Sequence, residues 1–267
     1  MDLAEPAPAK VNLALHVRGK LPDGRHRLET VFAFCTDGDR VTAVAADHLS
    51  LQAVGPFAYD LGSPEDNLVL RAARALREAA GVTYGAAITL TKNLPVASGL
   101  GGGSADAAAT LRLLTRLWEV DPARSSEVAP KLGSDVLACL LSMTARGDGA
   151  GDELQLVDAG VSGKPVLLVN PRVEVSTAQV FSRWNGQDKG ALGDWRAGRN
   201  DLEPIAVEMV PLIGAVLAWL HAQAGVSFVR MSGSGATCFA LFDNEEARDT
   251  AEMAVPREWW KLATLLR

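Results

Sequence analysis

Apolar and polar residues alternate from position 9 to 17, with Val11, Leu13, Leu15 and Val17 on one side, which predicts a half-buried strand. Lys10 and Asn12 share its other face. Pro22, Asp23 and Gly24 predict a hairpin turn, and a second strand-like run covers 28–34. Leu68, Ala72, Leu76 and Ala79 fall on one stripe of a helix that Ser63 or Asp66 would cap and Gly81 would end. Residues 85–92 read as a strand. Pro95 and a run of glycines follow, and then a helix opened by Ser104, on which Ala107, Leu111, Leu114 and Trp118 recur at helical spacing. Residues 131–135 predict a helix end and a new helix start, with Asp135 at or near the cap. The glycine-rich passage 147–151 precedes a strand at 166–169 and marks a domain boundary, giving domains of 1–150 and 151–267. Beyond it the pattern predicts a helix over 204–224, strands over 227–231 and 238–242, and a Gly-Ser-Gly turn between those strands.

At 267 residues the chain can bury two cores, and 48% hydrophobic with 22% charged residues is ordinary globular composition. Cys35, Cys139 and Cys238 are odd in number and widely spaced, so neither a disulfide framework nor a zinc site is expected. The acidic, proline-containing start lacks the pattern of a signal peptide, and no apolar window approaches the ~18 residues of a membrane span. A cytoplasmic protein without a membrane segment is expected. A net charge of -6 without a Lys/Arg run argues against nucleic acid, while a small anionic ligand could still meet a local basic spot.

Candidate chemistry concentrates at 95–109, PVASGLGGGSADAAA, where four glycines occupy five positions just before a helix. Without Cβ atoms in the way, consecutive backbone N–H groups can turn toward one anion, and the helix dipole adds to the attraction. No GK[ST] tripeptide occurs, and the spacing is G-x-G-x-G, so neither a Walker loop nor a dinucleotide fingerprint is present. A plain strand-to-helix turn is the other reading, but clustered glycines destabilise such a connection without any packing gain.

The chain resembles the GHMP kinases. The resemblance rests on APAKVNLAL at 7–15, DGRH at 23–26, LPVASGLGGGSA at 94–105, GSD at 133–135, NDLE at 200–203 and MSGSGATCF at 231–239. It implies an α+β, two-domain GHMP kinase fold with the active site in the interdomain cleft, ATP with Mg²⁺, and transfer of a phosphoryl group to an alcohol. The first two motifs together imply an acceptor that is a cytidine diphosphate derivative.

What the resemblance implies for single residues follows its motifs. Asp135 would be the general base, with Lys10 orienting the acceptor hydroxyl and stabilising the aspartate. A lone Asp there could equally be a helix cap, and a lone strand lysine a solvated one. Asn67 and Lys92 would lie near adenine. Pro95, Gly99, Leu100, Gly101, Gly102, Gly103, Ser104 and Ala105 would form the phosphate loop, where Ser104 could cap the helix or reach a Mg²⁺-bound phosphate oxygen. Asn12, His26, Thr177 and Phe181 would meet the acceptor, and Gly233, Ser234 and Gly235 would close on acceptor and phosphates. No resident metal site is implied, and His16, His48 and His221 receive no role.

Two positions depart from the family pattern. Arg25 stands where an aromatic residue is usual, so its guanidinium could stack on cytosine, pair with the diphosphate, or simply be an exposed hairpin arginine. Val136-Leu137 replaces Val-Pro after Asp135, a change expected to adjust only the local backbone. Homoserine- or mevalonate-type kinases remain alternatives, as does a catalytically silent nucleotide-binding regulator on the same scaffold. DGRH and Phe181 argue against the former, and the joint presence of Lys10 and Asp135 against the latter. A monomer or a homodimer is compatible with the sequence.

Overall fold

The computed structural model describes residues 3–267. By contacts the chain divides into two compact units, and neither is one continuous segment. The first comprises residues 3–9, Asp37–Val96 and Gly101–Ser142; the second comprises Lys10–Thr36, Ala97–Leu100 and Met143–Arg267. This division is discontinuous, whereas the sequence pattern suggests one cut at 150/151.

Two long strands, β1 (Leu3–Lys20) and β2 (His26–Ala46), run through both units and pair with each other. In the first unit residues 40–46 of β2 pair antiparallel with β4 (Gly85–Thr91), and β3 (Ser50–Val54) adds in parallel to β4. Four helices complete this unit: α1 (Leu68–Ala80), α2 (Gly102–Leu117), α3 (Ala123–Leu132) and α4 (Ser134–Leu141). Helix α2 packs against the other three and is buried almost all round from Ala105 to Thr115, which its alanine-rich sequence allows. Helix α1 ends on Gly81 at φ 65°, as expected, but its cap is Asn67, whose Oδ1 accepts the Val69 N–H at 2.9 Å, and not Ser63 or Asp66.

In the second unit β1 and β2 form the hairpin turning at 22–24, and residues 30–32 of β2 pair with β5 (Ala145–Asp148). The glycine passage 147–151 ends β5 and leads into the tight turn before β6 (Glu153–Leu156). A four-stranded antiparallel sheet follows in the order β10-β7-β9-β8, built from β7 (Pro165–Asn170), β8 (Val226–Met231), β9 (Cys238–Phe242) and β10 (Trp260–Leu265). Helices α5 (Thr177–Ser182), α6 (Glu203–Met209), α7 (Pro211–His221) and α8 (Glu245–Ala254) accompany it. The core joins Leu15 and Val17 of β1 to Leu167, Val169, Ile213, Val216, Cys238 and Phe242.

Two pattern readings differ from this architecture. From Ala7 to Val17 strand β1 is buried on both faces, not half-buried, so Lys10 and Asn12 are enclosed polar groups. The single helix expected at 204–224 is two helices broken at Val210. Pro211 has no N–H and disfavours the α region for the residue before it, and Val210 sits at φ -137°, ψ 86°.

Candidate active site

In the first unit the strand β4 delivers the chain to the glycine loop through a buried ionic knot. Lys92 Nζ lies 2.5 Å from Asp39 Oδ2 and 2.8 Å from Asp106 Oδ2, with all three side chains buried. Asp39 Oδ1 also accepts the N–H groups of Asn93 (2.6 Å) and Leu94 (2.9 Å), which fixes the segment entering the loop. Burial pushes the Asp106 carboxyl up to about 7 against the pull of Lys92, and its Oδ1 has no hydrogen-bond partner among the described residues. Burial lowers Lys92, but the charges of Asp106 and Asp39 more than reverse this, so the ammonium stays charged. Lys92, expected beside adenine, is therefore turned into the protein, because two carboxylates 53 and 14 residues away in sequence claim its donors.

The knot also explains one glycine. Helix α2 begins at Gly102, two residues before the Ser104 start expected from sequence, with Gly101 as its cap at φ 64°. A Cβ on Gly102 would sit 2.9 Å from Lys92 Nζ. Gly102→Val is therefore expected to displace the loop and weaken ATP binding by on the order of tenfold or more, measured by calorimetry; unchanged affinity would overturn the loop assignment. No side chain among the described residues caps α2, which leaves its first-turn N–H groups and dipole for an anion. Ser104 lies in that first turn. Asn67 begins α1 next to it, since a Cβ on Gly103 would sit 3.4 Å from Leu68 Cδ1. Asp135 is the second residue of α4, half-buried, after the cap at Gly133.

Residues 97–100 of the loop belong to the second unit, where they meet the Gly-Ser-Gly turn. Gly99 adopts φ 79°, and a Cβ there would fall 2.4 Å from the Ser232 carbonyl oxygen. The Ser232 hydroxyl donates to the Gly99 carbonyl at 2.8 Å and accepts the Asn12 N–H at 3.2 Å. Lys10 donates its backbone N–H to Leu100 at 2.9 Å and its ammonium to Asn12 Oδ1 at 3.0 Å, above the Phe32 ring at 5.4 Å. Asn12 Nδ2 donates to Thr30 Oγ1 at 2.8 Å. The hydroxyls of Thr177 and Ser234 are 2.8 Å apart, which brings α5 to the same turn. Thus Lys10, Asn12, Gly99, Leu100, Thr177 and residues 233–235 form one connected group, to which sequence reasoning had not assigned Ser232.

A second cluster lies at the β1–β2 hairpin. The His26 ring is 4.9 Å from Phe181, and Trp184 meets it edge-on at 5.6 Å. Burial and the charge of Lys20 lower the His26 pKa, so the ring is neutral at pH 7 and offers one donor and one acceptor. Trp184 was missed; its place three residues after Phe181 was the available signal. Its Nε1 is buried without a partner among the described residues. Arg25 does not join this cluster: its guanidinium pairs with Asp23 at 2.7 Å and Asp152 at 3.1 Å, and the side chain is 53% exposed. Of the open readings, the geometry favours the hairpin arginine. Arg25→Ala is expected to leave the acceptor KM and kcat within about twofold of the parent, as exposed ion pairs carry little energy. A tenfold rise in the acceptor KM would restore it to the site.

Two family models match the chain, the GHMP kinases N terminal domain over residues 67–143 and the GHMP kinases C terminal over 184–262. The chain belongs to the GHMP kinases. Among relatives of this GHMP kinase, a protein named 4-diphosphocytidyl-2-C-methyl-D-erythritol kinase from Novosphingobium aromaticivorans is 49% identical over 273 residues, covering 100% of this chain and 94% of that protein. One of the same name from Rhizorhabdus wittichii is 50% identical over 281 residues, covering 100% and 96%. A crystal structure of 4-(cytidine 5'-diphospho)-2C-methyl-D-erythritol kinase superposes with a TM-score of 0.85 at 32% identity, covering 100% of this chain and 99% of that one. Among the described residues of this GHMP kinase, no helix is long and apolar enough to cross a membrane. Among the same described residues, no group of three or more His, Cys, Asp or Glu side chains is placed to hold a metal ion.

Proposed function

We propose that this GHMP kinase moves the γ-phosphoryl group of ATP to the 2-hydroxyl of 4-diphosphocytidyl-2-C-methyl-D-erythritol, a step of the non-mevalonate route to isoprenoid precursors, in the cytoplasm and as a monomer or homodimer. The observation that carries this reading is about 50% identity across the whole chain to proteins of that name. The site chemistry agrees with it. The uncapped start of α2 and the glycines at 99 and 101–103 suit a polyphosphate. Mg²⁺ takes most of its ligands from water and phosphate oxygens and needs only one or two from protein, so the Ser104 hydroxyl in the first turn of α2 fits it. When bound, that ion neutralises phosphate charge.

Phosphoryl transfer asks the protein mainly for positioning and for a group that accepts the hydroxyl proton. Asp135, at the N-terminal turn of α4, takes the proton. Lys10 orients the acceptor oxygen. Neutral His26 reads the polar edge of cytosine while Phe181 offers a flat face, with Asn12, Thr177 and residues 233–235 around the remaining acceptor and phosphates. Asn67, at the cap of α1, borders the adenine. Domains of 1–150 and 151–267 remain the proposed division of the two family halves, whose matched segments fall on either side of 150.

A coupled ADP-release assay across 4-diphosphocytidyl-2-C-methyl-D-erythritol, homoserine and mevalonate tests the reading. ADP release dependent on the cytidine substrate is expected. Turnover with homoserine or mevalonate alone would overturn it.

A further inference from the structure

The segment Asn200 to Glu203 takes no part in the proposed chemistry, yet each of its side chains is committed. Asn200 is buried, and its Nδ2 donates to the carbonyl oxygens of Met231 (2.8 Å) and Gly233 (2.7 Å) while its Oδ1 accepts the Leu202 N–H (3.0 Å). Both donors of the amide are thereby used. The main chain around it is fixed against β1: Leu15 donates its N–H to Arg199 at 2.8 Å, and Asp201 donates to Leu15 at 2.9 Å. Asp201 Oδ2 accepts the Val17 N–H at 2.9 Å, and Leu202 is fully buried in the core. Glu203 Oε2 accepts the Met231 N–H at 2.8 Å. One short segment therefore holds Met231 by both its N–H and its carbonyl, and Gly233 by its carbonyl.

The held residues lead directly to the phosphate loop. Between Met231 and Gly233 stands Ser232, whose hydroxyl donates to the Gly99 carbonyl, and Gly99 has no room for a Cβ against the Ser232 carbonyl oxygen. Two carbonyl oxygens aimed at one point repel each other unless a donor sits between them. A side-chain amide of this length supplies two donors and one acceptor in that shape, and an isosteric carboxylate reverses the donors into lone pairs.

We propose that Asn200 is a positioning residue for phosphoryl transfer, setting the turn at 231–233 and, through Ser232, the placement of Gly99 in the phosphate loop. This rests on the reading above that Gly99 and residues 233–235 meet phosphates. Misplacement of such groups by about 1 Å is enough to cost on the order of a hundredfold in rate.

The test compares Asn200→Asp and Asn200→Ala with Asp201→Asn, a change in the same segment that weakens its ion pair with Arg199 without touching 231–233. Thermal midpoints, ATP affinity by calorimetry, and kcat and KM for both substrates are measured for each. Asn200→Asp and Asn200→Ala should lose tenfold to a hundredfold in kcat or ATP affinity, whereas Asp201→Asn stays within threefold of the parent. The relative activity of Asn200→Asp should rise as pH falls from 8 to 6, as a protonated carboxyl regains one donor. Asn200 variants within threefold of the parent overturn the proposal, as does an equal kinetic loss in Asp201→Asn. If the parent binds ATP but leaves the cytidine acceptor unphosphorylated, the acceptor reading fails, and the calorimetric comparison alone decides the role of Asn200.

Discussion

Turnover of the Asp135→Asn variant should fall by about 10² to 10⁴-fold, the span usual for removal of a general base. The amide has the carboxylate's shape but cannot accept the acceptor hydroxyl's proton. Helix α4 is capped at Gly133, so its start does not depend on the Asp135 side chain as a cap. Losing a favourable charge in the first turn costs only about 0.3–1 kcal/mol. ATP affinity by calorimetry and the thermal midpoint should therefore stay close to the parent while the rate in a single-turnover assay collapses. A rate within threefold of the parent would remove Asp135 from the chemistry.

Lys92→Met should destabilise the fold by about 3–5 kcal/mol, because it leaves the buried carboxylates of Asp39 and Asp106 without their shared cation. For a protein of this size that corresponds to a fall of roughly 6–20 °C in melting temperature. The sign of its pH dependence follows from Asp106. In the folded parent this carboxyl holds its proton to about 7, against 3.8 for an ordinary one. Between those values the folded state binds more protons than the unfolded one, so this group's contribution to stability falls as pH rises and levels off above 7. Without the ammonium, the variant should recover part of its loss when the pH is lowered from 8 to 5, as the carboxyls protonate. Urea unfolding at both pH values checks this; equal stability of variant and parent at pH 8 would contradict it.

How much was legible in the chain depends on sequence separation. Strand β4, the Gly81 stop of α1, the glycine loop and the strands around the Gly-Ser-Gly turn are local signals, and they lie within a residue or two of where they were read. The start of α2 was read late because Ser104 is a good cap residue, while the cap in the fold is Gly101 in a left-handed conformation. Asn67 was read as a ligand contact, and the fold also uses it as a cap. Lys92 was read as lying near adenine, and its buried pairing was not legible for a different reason: its partner Asp39 is 53 residues away, and nothing in spacing or composition joins them. The same holds for Asn200 and Gly233, 33 residues apart, and for Arg25, whose second carboxylate is Asp152.

The discontinuous make-up of the two units bears on the order in which a nascent chain can fold. Every residue of the first unit has been synthesised once Ser142 is made, so its helices and strands can settle while the rest is still being translated. Residues 10–36 cannot. Leu15 and Val17 share their buried core with residues from Leu167 to Val255, and the second unit's four-stranded sheet is complete only when β10, ending at Leu265, has left the ribosome. This first hairpin, buried on both faces of β1 in the finished fold, must therefore wait through most of synthesis, and docking it late spans a loop of more than two hundred residues. The early-made segment most exposed to chaperones and to aggregation during translation is thus the one that carries Lys10 and Asn12.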